Sequence, residues 1–188
     1  MQKKGGVKLN YTGEFKNDFA TAGNLGTSLV DFLNSKVKNN TEIIHTEILK
    51  EKIAEMLDRY SGVDAVMFSN NDLSGVALRI QKHSDKNWGT FTIRYSRHTG
   101  TETEYSKRIR QIYDSHPSFY PHYTCQAYWG ADNKMIGGAF CKTKDLFDTI
   151  RKFEPFNNGG KVYIKTNWSD NNTFLVVPFD CINPIYKF

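Results

Sequence analysis

Three consecutive strand patterns, enclosed by helical patterns, constrain the fold of this chain more than any other feature. In residues 75–81 and 90–95, apolar and polar side chains alternate, as expected for strands with one buried face. A shorter apolar run at 63–68 precedes them and is followed by a turn rich in Asn and Asp. The sequence therefore predicts a β-sheet at the centre of the fold.

Further elements are predicted on both sides of these strands. Apolar residues recur at helical spacing at 27–38, 42–60, 101–113 and 144–153. Four more strands are predicted at 122–129, 135–142, 162–165 and 173–177. From residue 41 onward the order is helix, three strands, helix, two strands, helix, two strands. This order is typical of a mixed α/β or α+β sheet flanked by helices, rather than of repeated βαβ units.

Length and composition indicate one main domain. A chain of 188 residues with 39% hydrophobic and 24% charged residues can bury a core of its own. Residues 1–24 are rich in Gly, Asn and Lys and contain few large aliphatic side chains. We therefore expect residues 1–40 to form an N-terminal arm with a short helix, and residues 41–188 to form a single α/β domain.

The cysteines and the hydropathy pattern indicate a cytoplasmic protein. Cys125, Cys141 and Cys181 are odd in number and widely spaced, which argues against a disulfide framework and favours a reducing compartment. The N-terminus leads into polar sequence, and no apolar run reaches 18 residues. Neither a signal peptide nor a membrane span is expected.

Positive charge is concentrated in one window of the chain. The net charge is +5, and the isoelectric point is near 9.0. The window from Arg79 to Arg110 holds eight basic and three acidic residues, so it alone carries a charge equal to that of the whole chain. Such an imbalance favours an anionic partner, and DNA or RNA is the partner that we expect.

The alternation in two of the strands places polar side chains on a common face. If the strands at 75–81 and 90–95 pair, Arg79, Gln81, Thr92 and Arg94 form one polar wall. This wall is either a solvated sheet face or part of a site for phosphate and metal. The presence of Asp64, at the start of the preceding strand, favours the second interpretation.

A family resemblance is carried by short motifs in a fixed order. An acidic helix is followed by GVDAVMF, a turn, GVALRIQ, TFTIRYSR and, on a helix, TETEYSKR. This arrangement over about residues 41–152 resembles the PD-(D/E)XK nuclease-like superfamily, and especially its small members encoded by phages and mobile elements. The resemblance implies a restriction-endonuclease-like core and a hydrolase that cleaves nucleic acid.

The resemblance also implies a site for Mg²⁺ or Mn²⁺, which polarises the phosphate and helps to generate a hydroxide nucleophile. Asp64 matches the motif aspartate, and Glu47 or Glu51 would be the acid from the helix. Where the family has (D/E)-x-K, this chain has Arg79-Ile80-Gln81. Gln81 could supply a carbonyl oxygen to the metal but carries no charge.

The next helix could supply the missing acid and lysine. Glu104 and Lys107 are three residues apart and so lie on one side of that helix. The predicted catalytic set is therefore Asp64, Gln81, Glu104 and Lys107, and the predicted metal ligands are Asp64, Gln81 and Glu47. The predicted contacts to nucleic acid are Arg79, Lys82, Arg94, Arg97, Arg108 and, by base stacking, Tyr120.

Two functions remain open from the sequence. The first is a metal-dependent nuclease acting on DNA or RNA. The second follows from the missing (D/E)-x-K motif: a nuclease-like protein without catalysis. Such a protein would bind nucleic acid or, if phage-encoded, would inhibit a defence nuclease in the host cytoplasm, as anti-CRISPR and anti-restriction proteins do.

Overall fold

In the part of the chain that the structure describes, the fold combines two β-sheets with three α-helices. The computed structural model describes residues 24–37, 40–49, 53, 57, 61–70, 72–82, 84–97, 99–114, 119–156, 160–167 and 171–188. The strands are β1 (Thr41–His45), β2 (Ala65–Ser69), β3 (Asp72–Gln81), β4 (Thr90–Ser96), β5 (Pro121–Trp129), β6 (Met135–Lys142), β7 (Tyr163–Asn167), β8 (Asn172–Pro178) and β9 (Tyr186–Lys187). The helices are α1 (24–34), α2 (Glu104–Tyr113) and α3 (Thr143–Lys152), with 3₁₀ turns at Thr46–Ile48 and Phe179–Cys181.

The larger sheet is mixed and the smaller one is antiparallel. Six strands follow the order β1-β2-β3-β5-β6-β9, and three follow the order β4-β8-β7. In the larger sheet β3 and β5 run parallel, whereas the other neighbours are antiparallel. A parallel pair needs a long crossover, which here contains β4 and α2. The predicted mixed α/β class is confirmed.

Two apolar clusters lie on opposite faces of the six-stranded sheet. One cluster joins the sheet to α1 through residues such as Leu29 and Cys125, both of which are fully buried. The other joins the sheet to α3 and to the smaller sheet through residues such as Phe147 and Phe91. The six-stranded sheet is thus the middle layer, and burial of side chains of this size contributes about 1.5–3 kcal/mol each.

The predicted short helix in the arm is confirmed as α1, shifted a few residues toward the N-terminus. Its apolar residues Leu25, Leu29 and Leu33 pack onto the central sheet. The Asn34 side chain binds both backbone groups of Ile43, donating to the carbonyl at 2.8 Å and accepting from the amide at 2.7 Å. These bonds cover part of the edge strand β1. The division of the chain at residue 40 stays a prediction.

The predicted helix at 42–60 is wrong at its start, because Thr41–His45 form strand β1. Thr41 followed by Glu42 fits a helix N-terminus, but the β-branched residues Ile43 and Ile44 also suit a strand. Pairing with β2 supplies the backbone hydrogen bonds, and Ile43 becomes 2% exposed. Most of the remainder, residues 50–60, lies outside the described residues.

The pairing of the strands at 75–81 and 90–95 is also wrong. Strand β3 pairs with β2 and β5, whereas β4 pairs with β8 in the smaller sheet. Phe91 and Ile93 on β4 are fully buried between the sheets, so this strand lies over the central sheet rather than beside β3. Thr92 is tied to β5, since its amide and hydroxyl both donate to Oε1 of Gln126, at 3.3 Å and 3.2 Å.

The C-terminal half agrees closely with the sequence prediction. The hairpin of β5 and β6, helix α3, and the pair β7 and β8 all lie within two residues of their predicted bounds. Among the described residues, none of the helices is both long and apolar enough to cross a lipid bilayer.

Candidate functional site

A charged cavity lies between β3, the end of β4 and the first half of α2. Its volume is about 260 Å³. The described residues that line it are Gly62, Asp64, Ala77, Leu78, Arg79, Arg94, Arg97, Glu102, Thr103, Glu104, Lys107 and Arg108. Five of these side chains are basic and three are acidic, so the cavity has an excess of positive charge.

The cap of α2 places its first turn at the cavity. The Thr103 amide donates to Oγ of Ser106 at 2.9 Å, and the Ser106 amide donates to Oγ1 of Thr103 at 3.3 Å. This reciprocal cap satisfies amides at the helix start. The Thr103 hydroxyl also donates to the carbonyl of Tyr95 at 3.1 Å, which fixes the helix to the end of β4. Glu104, Lys107 and Arg108 then share one side of α2.

Arg79 and Arg94 are brought to the cavity from different sheets. Their nearness was expected from pairing of β3 and β4, but it results from the stacking of the smaller sheet over the larger one. Arg94 also lies over the ring of Phe174, with 5.6 Å between the guanidinium carbon and the ring centroid. The predicted polar wall is therefore replaced by a cavity between layers.

Arg79 forms a two-point ion pair with Glu104. Its Nε donates to Oε1 at 3.2 Å, and its Nη2 contacts Oε2. Burial lowers the pKa of Arg79 to about 10; Asp64 opposes this shift, and the nearby guanidinium groups of Arg94, Arg108 and Arg97 add to it. Arg79 therefore remains charged at neutral pH, and the Glu104 carboxylate is bound to it as an ion pair.

Asp64 is held in place immediately before β2. Its amide donates to the carbonyl of Val76 at 2.9 Å, and its Oδ2 accepts from the amide of Leu78 at 2.7 Å. Its carbonyl accepts from the amide and the hydroxyl of Thr46, each at 2.9 Å. The Asp64 carboxylate therefore contributes a fixed negative charge beside the cations of the cavity.

Arg108 is buried and binds the backbone of the segment before β2. Its guanidinium donates to the carbonyls of Ser61 at 2.7 Å and Gly62 at 2.8 Å, and to Oε1 of Gln111 at 2.5 Å. Arg108 is 3% exposed. Burial lowers its pKa to about 10, and Asp64 opposes that shift. These contacts assign Arg108 a structural role, and its predicted contact to nucleic acid stays a prediction.

Gly62 permits this close approach of Arg108. Its φ of +63° is in the left-handed region, and an added Cβ would lie 2.6 Å from Nη2 of Arg108. Sequence reasoning did not assign Gly62, Thr103 or Glu102 to the site. A possible signal was Gly62 directly before the strand, since glycine there permits positive φ.

The remaining predicted site residues lie elsewhere. Gln81 is exposed at the end of β3, Lys82 follows it, and neither lines the cavity. Tyr120 stacks on His122 at the start of β5, with ring centroids 5.3 Å apart. Glu47 is in the 3₁₀ turn Thr46–Ile48, but its side chain is outside the described part of the chain, as is all of Glu51.

The described oxygen donors do not form a ready site for Mg²⁺ or Mn²⁺. No group of three or more His, Cys, Asp or Glu side chains able to hold a metal occurs in the described part of the chain. Asp64 and Glu104 line the same cavity, but Glu104 is paired with Arg79, and Gln81 is not a lining residue. Metal binding by these residues stays a prediction.

Comparison with known proteins gives no match. No family model, no curated protein and no solved structure matches the chain.

Proposed function

We propose that this chain is a nucleic-acid-binding protein that holds phosphate groups in the cavity between β3, β4 and α2. The observation that carries the proposal is the set of five basic side chains that converge on one cavity of about 260 Å³. Because Arg79 is paired with Glu104 and Arg108 is bound to backbone carbonyls, the phosphate would be contacted by Arg94, Arg97 and Lys107. The five basic side chains come from three elements or their flanks, and all three acidic groups among them are engaged: Glu104 by Arg79, Asp64 by the Leu78 amide and Glu102 by Arg110. Phosphate contacts from arginine and lysine supply a large share of the affinity of proteins for nucleic acid.

The proposal is tested by binding of fluorescently labelled DNA and RNA to the wild type and to Lys107→Ala. Lys107 lines the cavity. Loss of one charged phosphate contact should weaken binding roughly tenfold. The matched control is Lys134→Ala, which removes the same charge from the exposed turn between β5 and β6. Equal loss in both variants would mean that overall charge, not the cavity, attracts the ligand.

A second candidate is the metal-dependent nuclease. It is favoured by one observation: Asp64, Glu104 and Lys107, three of the four predicted catalytic residues, line the same cavity. Incubation of DNA and RNA with Mg²⁺ or Mn²⁺ tests it, with Asp64→Asn as the variant because an amide oxygen can still accept from the Leu78 amide. Cleavage that disappears in Asp64→Asn would support the nuclease. Binding of DNA or RNA without cleavage by the wild type would leave binding as the function.

We also place the protein in a reducing cytoplasm. Cys125, Cys141 and Cys181 are all free thiols, which supports this location.

A further inference from the structure

Three ring side chains form a cluster where α2 is followed by β5. This aromatic platform consists of Phe119, Tyr120 and His122. The rings of Tyr120 and His122 stack at 5.3 Å with 30° between their planes, and Phe119 meets His122 edge to face at 6.0 Å. Phe119 is 42% exposed, and His122 is exposed. Exposed rings that contact one another form a contiguous apolar surface of the kind found at binding sites.

The aromatic platform lies at the start of β5, the strand that pairs with one wall of the cavity. Tyr123 and Cys125 on β5 pack toward α1, and Thr124 bonds to Thr143 of α3 on the other side. His122 is the extra residue of a β-bulge, because Gly75 pairs with Pro121 and Val76 pairs with Tyr123. Thr124 lies opposite Ala77, which lines the cavity. The rings are therefore next to the pair of strands that forms one wall of the cavity.

Direct contacts connect the aromatic platform to the cavity. Arg108, a lining residue, donates to Oε1 of Gln111, and Nε2 of Gln111 donates to the carbonyl of Phe119 at 3.2 Å. On the sheet, Gly75 lies between Val63 and Pro121, since an added Cβ would lie 2.7 Å from the first and 3.1 Å from the second. The backbone bearing the rings is therefore fixed against the backbone of the cavity wall.

We infer that the ligand of the cavity is a single-stranded nucleic acid, whose phosphate lies among the basic side chains and whose neighbouring base stacks on the aromatic platform. This inference rests on the proposed function. Basic grooves beside exposed rings bind unpaired strands, because every base offers a π-face for stacking. In a duplex these faces are covered by neighbouring base pairs, and only base edges are accessible.

Fluorescence anisotropy with three labelled probes tests the inference. The probes are an unpaired thymidine or uridine strand of about 12 nucleotides, an abasic strand of the same length, and a duplex. The variant is Phe119→Ala, and the control is Trp88→Ala, which removes a ring that is 52% exposed in the loop between β3 and β4. Thermal melting establishes that both variants are folded.

The wild type should bind the thymidine or uridine strand more tightly than the abasic strand and the duplex. Phe119→Ala should weaken binding of the base-bearing strand roughly 5- to 150-fold and leave the abasic strand unchanged, whereas Trp88→Ala should change neither. Equal binding of strand and duplex, or equal effects on the base-bearing and abasic strands, would overturn the inference. If Lys107→Ala still weakened all three probes in that case, the proposed function would stand. If no probe bound the wild type, both proposals would fail.

Discussion

Replacing Arg108 with methionine should destabilise the fold far more than the same change two residues later on α2. The Arg108 guanidinium is buried and donates to the carbonyls of Ser61 and Gly62 and to the side chain of Gln111. Methionine retains much of the apolar stem but removes all three donors. These acceptors, which are buried or partly buried, then lose their partners, which costs more than the net value of the bonds themselves.

The expected loss follows from these contacts. A hydrogen bond that involves a charged group contributes about 1.5–3 kcal/mol, and a polar group left buried without a partner costs about 1–3 kcal/mol. Relief of the burial that lowers the pKa of Arg108 to about 10 offsets part of this cost. We expect the free energy of unfolding to fall by about 3 kcal/mol, and the melting temperature to fall by about 6–12 °C for a domain of this size.

Urea unfolding of Arg108→Met and Arg110→Met measures the difference. Arg110 is also on α2, but its side chain is 53% exposed, and its ion pair with Glu102 at 3.0 Å is a surface pair worth about 0–1 kcal/mol. The slope of free energy against urea should be the same for both variants. If the two losses agree within about 0.5 kcal/mol, the contacts of Arg108 do not stabilise the segment before β2, and the reasoning is refuted.

Two further predictions concern thiols and alkaline pH. Cys181 alone should react with an aromatic disulfide reagent in the folded protein, because Cys125 and Cys141 are buried. Burial also raises the pKa of both buried thiols, that of Cys141 to about 12. Rapid reaction of all three thiols without denaturant would contradict this prediction. Burial and a hydrogen bond to Asp148 raise the pKa of Tyr113 above its ordinary value of 10.0, so stability from this hydroxyl is complete below about pH 10 and declines above it. Tyr113→Phe should therefore lose less stability than the wild type between about pH 10 and 12 in denaturant unfolding, and identical pH profiles would count against the account.

The elements defined by local patterns were predictable. The hairpin of β5 and β6 consists of two strand segments around a polar turn, and α3 has a single apolar face that packs into the core. Strand β1 was not predictable in this way, because Thr41 and Glu42 fit a helix start as well as a strand. The strand is favoured over the helix by pairing with β2 and by the hydrogen bonds between the Asn34 side chain and the backbone of Ile43. Neither contact can be read from the local pattern of residues 41–45.

The members of the site were easier to predict than its arrangement. Alternation and helical spacing singled out Arg79, Arg94, Glu104 and Lys107, and all four line the cavity. Neighbouring strands in a chain usually pair, which made the pairing of β3 and β4 the natural expectation. The local pattern carries no information on the stacking of a second sheet, nor on the pairing of Glu104 with Arg79, because both depend on tertiary packing.

The dependence of binding on salt tests the central claim most directly. We would measure the affinity for a labelled single strand over a range of salt concentrations, with the wild type, the double variant Arg94→Ala/Lys107→Ala and the control Lys36→Ala/Lys134→Ala. The control removes two charges outside the cavity, one of them next to α1 on the opposite face of the central sheet. If two phosphate contacts are lost, the slope of log affinity against log salt should become shallower by about 1.4 in the cavity variant only. Equal slopes for the cavity variant and the control would contradict phosphate binding in the cavity.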